Sequence, residues 1–333
     1  MDMYEKRVRL RELMAAPECV PVLGAYDLLS AKLIEATGFP VVYTGSFITG
    51  ASQFFLADVG LVQLKDLLPL AYEIAKEVDL PLICDVDNGW FHSGNIWRTV
   101  HEFEAAGASG IQVEDGIIGK HVSTGPIDMS KEIMVDHIHA MCEARKDKNF
   151  VIIARTDALW LKNDLEETID RCNAYLDAGA DACFITFPGS IRGMKEWRHR
   201  IHGPVVTTPI KYEDSIDQET EAGACMSVYW PNTIYAAFTA VRDTLKKFAE
   251  TRDMTKVDAK FDEDELLKLL PLVFVLEWGL VPWVMDGAGT FWGDPARLLG
   301  LPGGEWMITA LCAALALLLC GLVCRRQRRR DLL

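Results

Sequence analysis

Along the first 230 residues, short and almost continuously apolar runs alternate with stretches whose apolar positions recur every three to four residues. The runs are Pro21–Tyr26, Val41–Ser46, Pro81–Asp87, Gly110–Asp115, Phe150–Ala158, Ala182–Pro188, Val205–Pro209 and Cys225–Trp230. A strand covered on both faces has this character, because neither side meets water. The intervening segments Leu28–Thr37, Leu64–Glu77, Ile96–Ala106, Lys131–Arg145 and Leu165–Ala178 have the period of helices with one buried face. Three of them run into glycine (Gly38, Gly107, Gly179), where helices commonly stop.

Eight strands alternating with helices predict a closed (β/α)8 barrel of TIM type over residues 1–250, which matches the usual length of about 250 residues. An open doubly wound sheet is the rival, and the lack of a G-x-G-x-x-G turn after the first strand speaks against it. The charge-rich stretch Lys246–Lys268 marks the end of the barrel, and a helical extension is expected over 251–305.

Charge and cysteine content narrow the class. Lys and Arg number 34 against 48 Asp and Glu, a net charge of −14; the last nine residues carry +4, which leaves −18 on the rest. Such a body repels phosphate backbones, so nucleic acid is not an expected partner. Nine Cys without a C-x-x-C pair exclude a disulfide scaffold or zinc ribbon and suit a reducing compartment. The start, MDMYEKRVRLRELM, has no apolar core of signal-peptide length, so a cytoplasmic barrel is expected. The far end differs. Trp306–Cys324 is nineteen residues without a charge, followed by RRQRRR, which predicts a transmembrane helix with a positive stop flank over 306–333. A hairpin with Leu269–Met285 would keep barrel and Arg cluster on one side, although Pro271, Glu277 and Pro282 make that first leg poor.

In a parallel barrel the chemistry sits where strands end and loops begin. Asp85 and Asp87 close the third run, Glu114 and Asp115 the fourth, Arg155 and Asp157 the fifth; Ser46 ends the second, with Asp58 in the loop beyond it. Residues two apart on a strand share a face, so Asp85 and Asp87 are expected to point together. Carboxylates converging without His or Cys make a hard oxygen site, suited to Mg²⁺ or Mn²⁺ rather than zinc, and they would repel one another without a cation. Arg155 offers a fork for a substrate carboxylate or phosphonate. Any one of these acids alone reads better as a solvated strand end; D-x-D, E-D and A-R-T-D on three successive strand ends read better as a site. Cys84 and Cys183 lie in apolar strands and read as core, Cys142 and Cys172 as plain helix residues, and His92 as solvent-facing or as a site neighbour.

The segments GAYDLLSAKLIEATGF, TGS, DVDNGW, RTVHEFEAAGASGIQVED and NFVIIARTDA together resemble the isocitrate lyase / phosphoenolpyruvate mutase superfamily, over residues 8–245. The resemblance implies a (β/α)8 barrel, a homo-oligomer (usually a tetramer exchanging C-terminal helices) and Mg²⁺ held largely through water. On this chain its metal residues are Asp85, Asp87 and Glu114, with Asp58 as a further acidic member. The carboxylate-gripping Arg falls on Arg155; Tyr43, Gly45 and Ser46 fall where the oxo-acid end is met; Asn232, in Trp230–Pro231–Asn232, is expected to face the site. The implied reaction is cleavage of a C–C bond in a small 2-hydroxy or 2-oxo dicarboxylate, of methylisocitrate or oxaloacetate type, through an enolate. By the same resemblance the hydrophobic tail has a rival reading, a C-terminal helix buried between subunits.

The loop after the fourth strand departs from the family. Lyases carry a KKCGH-type segment whose Cys protonates the enolate, and phosphonate enzymes place Asn or Thr near that Cys. Here the chain reads EDGIIGKHVSTGPIDMSKE: Lys120 matches, but Val122 stands at the Cys position, between His121 and Ser123. Valine cannot supply a proton. Either His121 or Ser123 does so, or the reaction needs no acid there, or activity is lost. Carbon–phosphorus chemistry and a non-catalytic, membrane-tethered binding barrel are therefore the alternatives to a lyase.

Overall fold

The computed structural model describes residues 1–90, 93–118, 127–187, 191–209, 214–257 and 263–270. The chain divides into two compact units, Met1–Asp258 and Ala259–Leu333. Ten strands are found among the described residues: β1 (Val20–Gly24), β2 (Val41–Thr44), β3 (Leu82–Asp85), β4 (Gly110–Glu114), β5 (Gly116–Ile118), β6 (Ile127–Asp128), β7 (Val151–Thr156), β8 (Ala182–Phe187), β9 (Val205–Pro209) and β10 (Met226–Tyr229). Eight of them close into a parallel barrel in the order β1-β10-β9-β8-β7-β4-β3-β2, while β5 and β6 form a separate antiparallel pair. The expected TIM-type barrel is present, and every strand run overlaps one of its staves, β1 starting one residue before the first run.

The helices of the first unit are α1 (Met3–Met14), α2 (Leu28–Ala36), α3 (Ser46–Thr49), α4 (Leu64–Glu77), α5 (Ser93–Ala105), α6 (Lys131–Ala144), α7 (Ala158–Lys162), α8 (Leu165–Asp177), α9 (Met194–Trp197), α10 (Ile216–Ala222) and α11 (Asn232–Thr251). The five helical stretches read from periodicity become α2, α4, α5, α6 and α8. In the second unit, α12 (Glu263–Leu269) is described. Among the described residues no helix is long and apolar enough to cross a membrane. The expected span Trp306–Cys324, its Arg flank and all but the first two residues of Leu269–Met285 lie outside the described residues.

Alternation along the staves divides the core. Val20, Val22, Val41, Tyr43, Ile83, Val151, Ile153, Phe184, Val206 and Val228 pack together inside the barrel. Outward-facing neighbours such as Val42, Cys84, Ile111 and Ile152 pack beneath the helices. Cys172 and Cys183 share another such layer with Ile185 and Ile201, so Cys183, like Cys84, is a core residue as read, and Cys172 of α8 packs against it.

Periodicity did not reveal α1. Its apolar positions Leu10, Leu13 and Met14 are buried against the barrel interior, worth about 2 kcal/mol for a fully covered side chain. An Asp2/Glu5 capping box starts it. Its basic residues dock on other elements: Lys6 Nζ donates to the carbonyls of Ala75 and Val78 (2.7 and 2.5 Å), and Arg7 to those of Ala108 and Glu104 (3.1 and 2.6 Å). Thus α1 stoppers the end of the barrel away from the strand C-termini.

Candidate active site

At the C-terminal ends of the staves, the residue two beyond each inward-facing core residue again faces inward. Tyr43 is followed by Gly45, Ile83 by Asp85, Ile153 by Arg155, Phe184 by Thr186, Val206 by Thr208 and Val228 by Trp230. These residues line a cavity of about 390 Å³, together with Tyr43, Ser46, Phe47, Ile48, Asp58, Trp160, Phe184 and Tyr235. Glu114 stands behind Arg155, its Oε2 3.6 Å from Nη1.

The D-x-D pair meets for a different reason from the one expected. Strand β3 stops at Asp85, and Asp87 has a left-handed φ of 46°, so no pleat aligns the two side chains. A turn does it instead: Asp85 Oδ1 accepts the Asp87 N–H at 3.0 Å, and Asp87 Oδ1 accepts the Ser46 hydroxyl at 2.6 Å. A non-glycine residue in this region of φ is strained, and the turn is locked from both sides. Asn88 Nδ2 donates to the carbonyls of Gly116 and Ile117 at 2.9 Å each, and Glu114 N–H donates to Asp87 O at 2.8 Å. Gly45 is needed for close approach: a Cβ there would lie 2.7 Å from Asp85 Cβ and 3.2 Å from Asp85 Oδ2.

Arg155 is fixed by a bidentate pair with Asp157, Nε to Oδ1 at 2.7 Å and Nη2 to Oδ2 at 3.0 Å. Asp157 is held in turn by Thr186, whose hydroxyl donates at 2.7 Å. Phe184 lies under the guanidinium, 5.4 Å from ring centroid to Cζ. Burial alone would lower the Arg155 pKa, but Asp157, Glu114 and Asp85 outweigh it and hold the group well above its ordinary value, a permanent cation. Tyr43 donates its hydroxyl to Gln112 Oε1 at 2.8 Å across the barrel. Burial, with Asp85 nearby, pushes its pKa well up, so it stays a neutral phenol.

One expectation needs correction, and one residue stands apart from the described cavity lining. Asp115 does not join the converging carboxylates: adjacent strand residues face opposite ways, and Asp115 points out of the barrel. There Oδ2 accepts from Arg171 Nη1 (3.0 Å) and Tyr175 OH (2.7 Å). Asn232 is an exposed residue opening α11; Trp230 and Tyr235 line the cavity from this part of the chain. Lys120, His121, Val122, Ser123 and His92 lie outside the described residues. Sequence reasoning missed Phe47, Trp160, Phe184, Thr186, Thr208, Trp230 and Tyr235. The two-residue step that singled out Asp85 and Arg155 reaches Phe184, Thr186, Thr208 and Trp230 when continued round the barrel.

Among the described residues, no group of three or more His, Cys, Asp or Glu side chains is arranged to hold a metal ion. The donor chemistry nevertheless suits Mg²⁺, which keeps several waters and takes one or two carboxylates plus substrate oxygens. Asp85 and Asp58 line the cavity, and the side-chain-free Gly45 gives the Asp85 carboxylate its room. Among the described residues the cavity lining holds neither His nor Cys, the ligands that zinc prefers.

A family profile described as phosphoenolpyruvate phosphomutase matches residues 10–249. The chain is 34% identical over 241 residues to 2,3-dimethylmalate lyase of Eubacterium barkeri, covering 71% of this chain and 83% of that protein. It is 33% identical over 237 residues to 2-methylisocitrate lyase of Shewanella oneidensis, covering 69% and 80%. Its fold is similar to that of phosphonopyruvate hydrolase in complex with oxalate and Mg²⁺, with a TM-score of 0.72 and 28% identity over 81% of this chain and 95% of that one.

Proposed function

Because the chain belongs to the phosphoenolpyruvate phosphomutase family, we propose that it is a Mg²⁺-dependent lyase that breaks a C–C bond of a small 2-hydroxy or 2-oxo dicarboxylate through an enolate. The observation that carries this reading is the convergence of Asp85 and Arg155, from β3 and β7, on one cavity, with Glu114 against the same guanidinium. Two lyases among its relatives support it.

Asp85, Asp87 and Glu114 are the residues that would hold the cation, with Asp58 nearby. Bound Mg²⁺ supplies Lewis acidity that lowers the cost of the negative charge released when the bond breaks. Arg155 contributes a second fixed positive charge, oriented before reaction by Asp157. With its Nε–Nη2 edge taken by Asp157, the guanidinium meets a substrate carboxylate through its remaining N–H groups. Ser46 aligns Asp87, Gly45 leaves room beside Asp85, and neutral Tyr43 closes the floor. Asn232 is retained as a substrate contact only on the motif, not on its place in the fold. The proton returned to the enolate carbon is assigned to the segment Lys120–Ser123, with His121 or Ser123 as the acid.

The experiment is pyruvate release, with Mg²⁺ and with EDTA, from methylisocitrate, 2,3-dimethylmalate, oxaloacetate and phosphonopyruvate. Turnover of a carbon substrate that EDTA abolishes is expected; release from phosphonopyruvate alone would move the chain to carbon–phosphorus chemistry, which the likeness to the hydrolase favours. No release from any of the four would overturn the lyase reading for these acids.

Assembly into a homo-oligomer, a tetramer by family analogy, is supported by an exposed apolar stripe on α11: Phe238, Val241, Leu245 and Phe248, between 42% and 62% exposed. Light scattering on the purified chain tests it. A cytoplasmic barrel anchored through Trp306–Cys324 rests on the apolar length and Arg flank of that segment, and carbonate extraction tests it.

A further inference from the structure

The cavity has a second wall that the lyase reading leaves unused. Phe47, just past β2, Trp230, just past β10, and Tyr235 on α11 line it. Their rings form one cluster: Phe47 and Trp230 are 4.8 Å apart at 81°, Phe47 and Tyr235 6.2 Å at 81°, and Trp230 and Tyr235 6.5 Å at 61°. Edge-to-face packing of this kind makes a firm apolar surface. Gly24 on the intervening stave β1 makes it possible, since a Cβ there would overlap the Trp230 carbonyl.

Round the rim the two chemistries occupy different arcs. Asp85, Glu114 and Arg155 stand on the consecutive staves β3, β4 and β7, whereas the aromatic cluster spans the closure β10-β1-β2. Between them, on β8 and β9, the hydroxyls of Thr186 and Thr208 donate inside the protein, to Asp157 and to the Val228 carbonyl. With those hydroxyls engaged, that side offers a ligand chiefly methyl groups and aromatic rings, with the Trp230 indole N–H and the Tyr235 hydroxyl as its polar edges. A cavity of about 390 Å³ falls among pockets that take drug-sized ligands, more than a four-carbon diacid fills.

Resting on the lyase reading, we infer that the natural substrate carries an apolar arm, a branched alkyl or aryl group, beyond its 2-hydroxy or 2-oxo acid head, and that Phe47, Trp230 and Tyr235 bind that arm. The acid head is held at the Asp85–Arg155 side, and the arm crosses to the aromatic arc. Ring edges and faces select for bulk and against charge at that end.

Calorimetric titration in MgCl₂ with pyruvate, 2-oxopentanoate, 2-oxohexanoate and phenylpyruvate tests the inference on the full-length protein. Affinity is expected to rise about fourfold per added methylene and to be highest for phenylpyruvate. In Trp230→Ala and Phe47→Leu the gain per methylene is expected to fall below about twofold; the milder Phe47→Leu carries the test if Trp230→Ala does not fold. Pyruvate binding with no gain along the series overturns the arm and leaves the acid-head reading standing. Failure of all four acids to bind overturns that reading, and the arm with it.

Discussion

The two ends of the barrel are both crowded with charge and use it in opposite ways. At the stoppered end, cations and anions are matched one to another. Arg7 spans two carbonyls and the Asp147 carboxylate; Asp181 accepts from Arg11 on one oxygen and from Arg145 on the other, at 2.9 and 2.6 Å. Lys6 satisfies the carbonyls of Ala75, in the last turn of α4, and of Val78 just beyond it. At the open end, Asp58, Asp85, Asp87, Glu114 and Asp157 stand in or next to a cavity whose lining, among the described residues, contains one guanidinium, that of Arg155. Matched charge closes a structure; a surplus of one sign, gathered on strand ends, calls for a cation and a charged ligand. The difference teaches that charge count says little about role, while the balance among neighbours says a great deal.

The largest expected effect comes from removing charge at the open end. Asp85→Asn should lower kcat/KM on the order of a thousandfold, as expected for a group that stabilises developing charge. Its thermal midpoint should hold or rise, because one member of a repelling set is gone. Steady-state kinetics and a melting curve on the same preparation check both halves. Activity within tenfold of the parent protein would remove Asp85 from the chemistry.

The converse change belongs at the stoppered end. Arg7→Ala leaves the carboxylate of Asp147 and the carbonyls of Ala108 and Glu104 without that guanidinium, in a place where Arg7 is 7% exposed. Breaking such a buried pair costs about 3 kcal/mol. Urea unfolding should show that loss, while turnover per folded molecule stays at the parent value. A large fall in kcat with unchanged stability would mean that the two ends are not divided as described.

The same contrast explains what could be read from the residues alone. The staves were legible because a doubly covered strand must be apolar along its length, and Val205–Pro209 is the same in expectation and structure. The site was legible where strand parity and charge coincide, as at Asp85 and Arg155. It failed where the backbone leaves the strand: Asp87 reaches Ser46 through a left-handed turn that no alternation rule anticipates. It failed again at Asp115, where an acidic pair looked like two site residues although neighbours on a stave must diverge. The aromatic arc went unread because Phe47 is far in sequence from Trp230 and Tyr235, and the three look like core residues until barrel closure sets β10 beside β1. Helix α1 was hidden by its own function, since Lys6 and Arg7 are buried polar anchors, with Arg11 half-buried beside them, where apolar periodicity would be expected.

Glu219 sharpens the comparison most finely, because it is as buried as the stoppered end yet its described partners are hydroxyls. Thr207 donates to Oε2 at 2.6 Å, and the Tyr229 hydroxyl lies 3.5 Å from Oε1. Burial raises its pKa above the ordinary 4.5, against the opposing pull of those hydroxyls. The folded protein therefore keeps this proton at pH values where the unfolded chain has lost it. Between 4.5 and the folded pKa the native state binds more protons, so this group makes stability fall as pH rises through that window. The penalty is absent below 4.5 and complete above the folded pKa. Glu219→Gln keeps the shape and removes the titration. The variant should therefore gain on the parent protein as pH is raised from 4.5 towards neutrality, by about one or two degrees in Tm, the smallest effect of the three. Melting curves at half-unit steps of pH measure it. A difference that does not change with pH would show that hydroxyl partners satisfy a buried carboxylate as fully as the guanidinium groups do around Asp181.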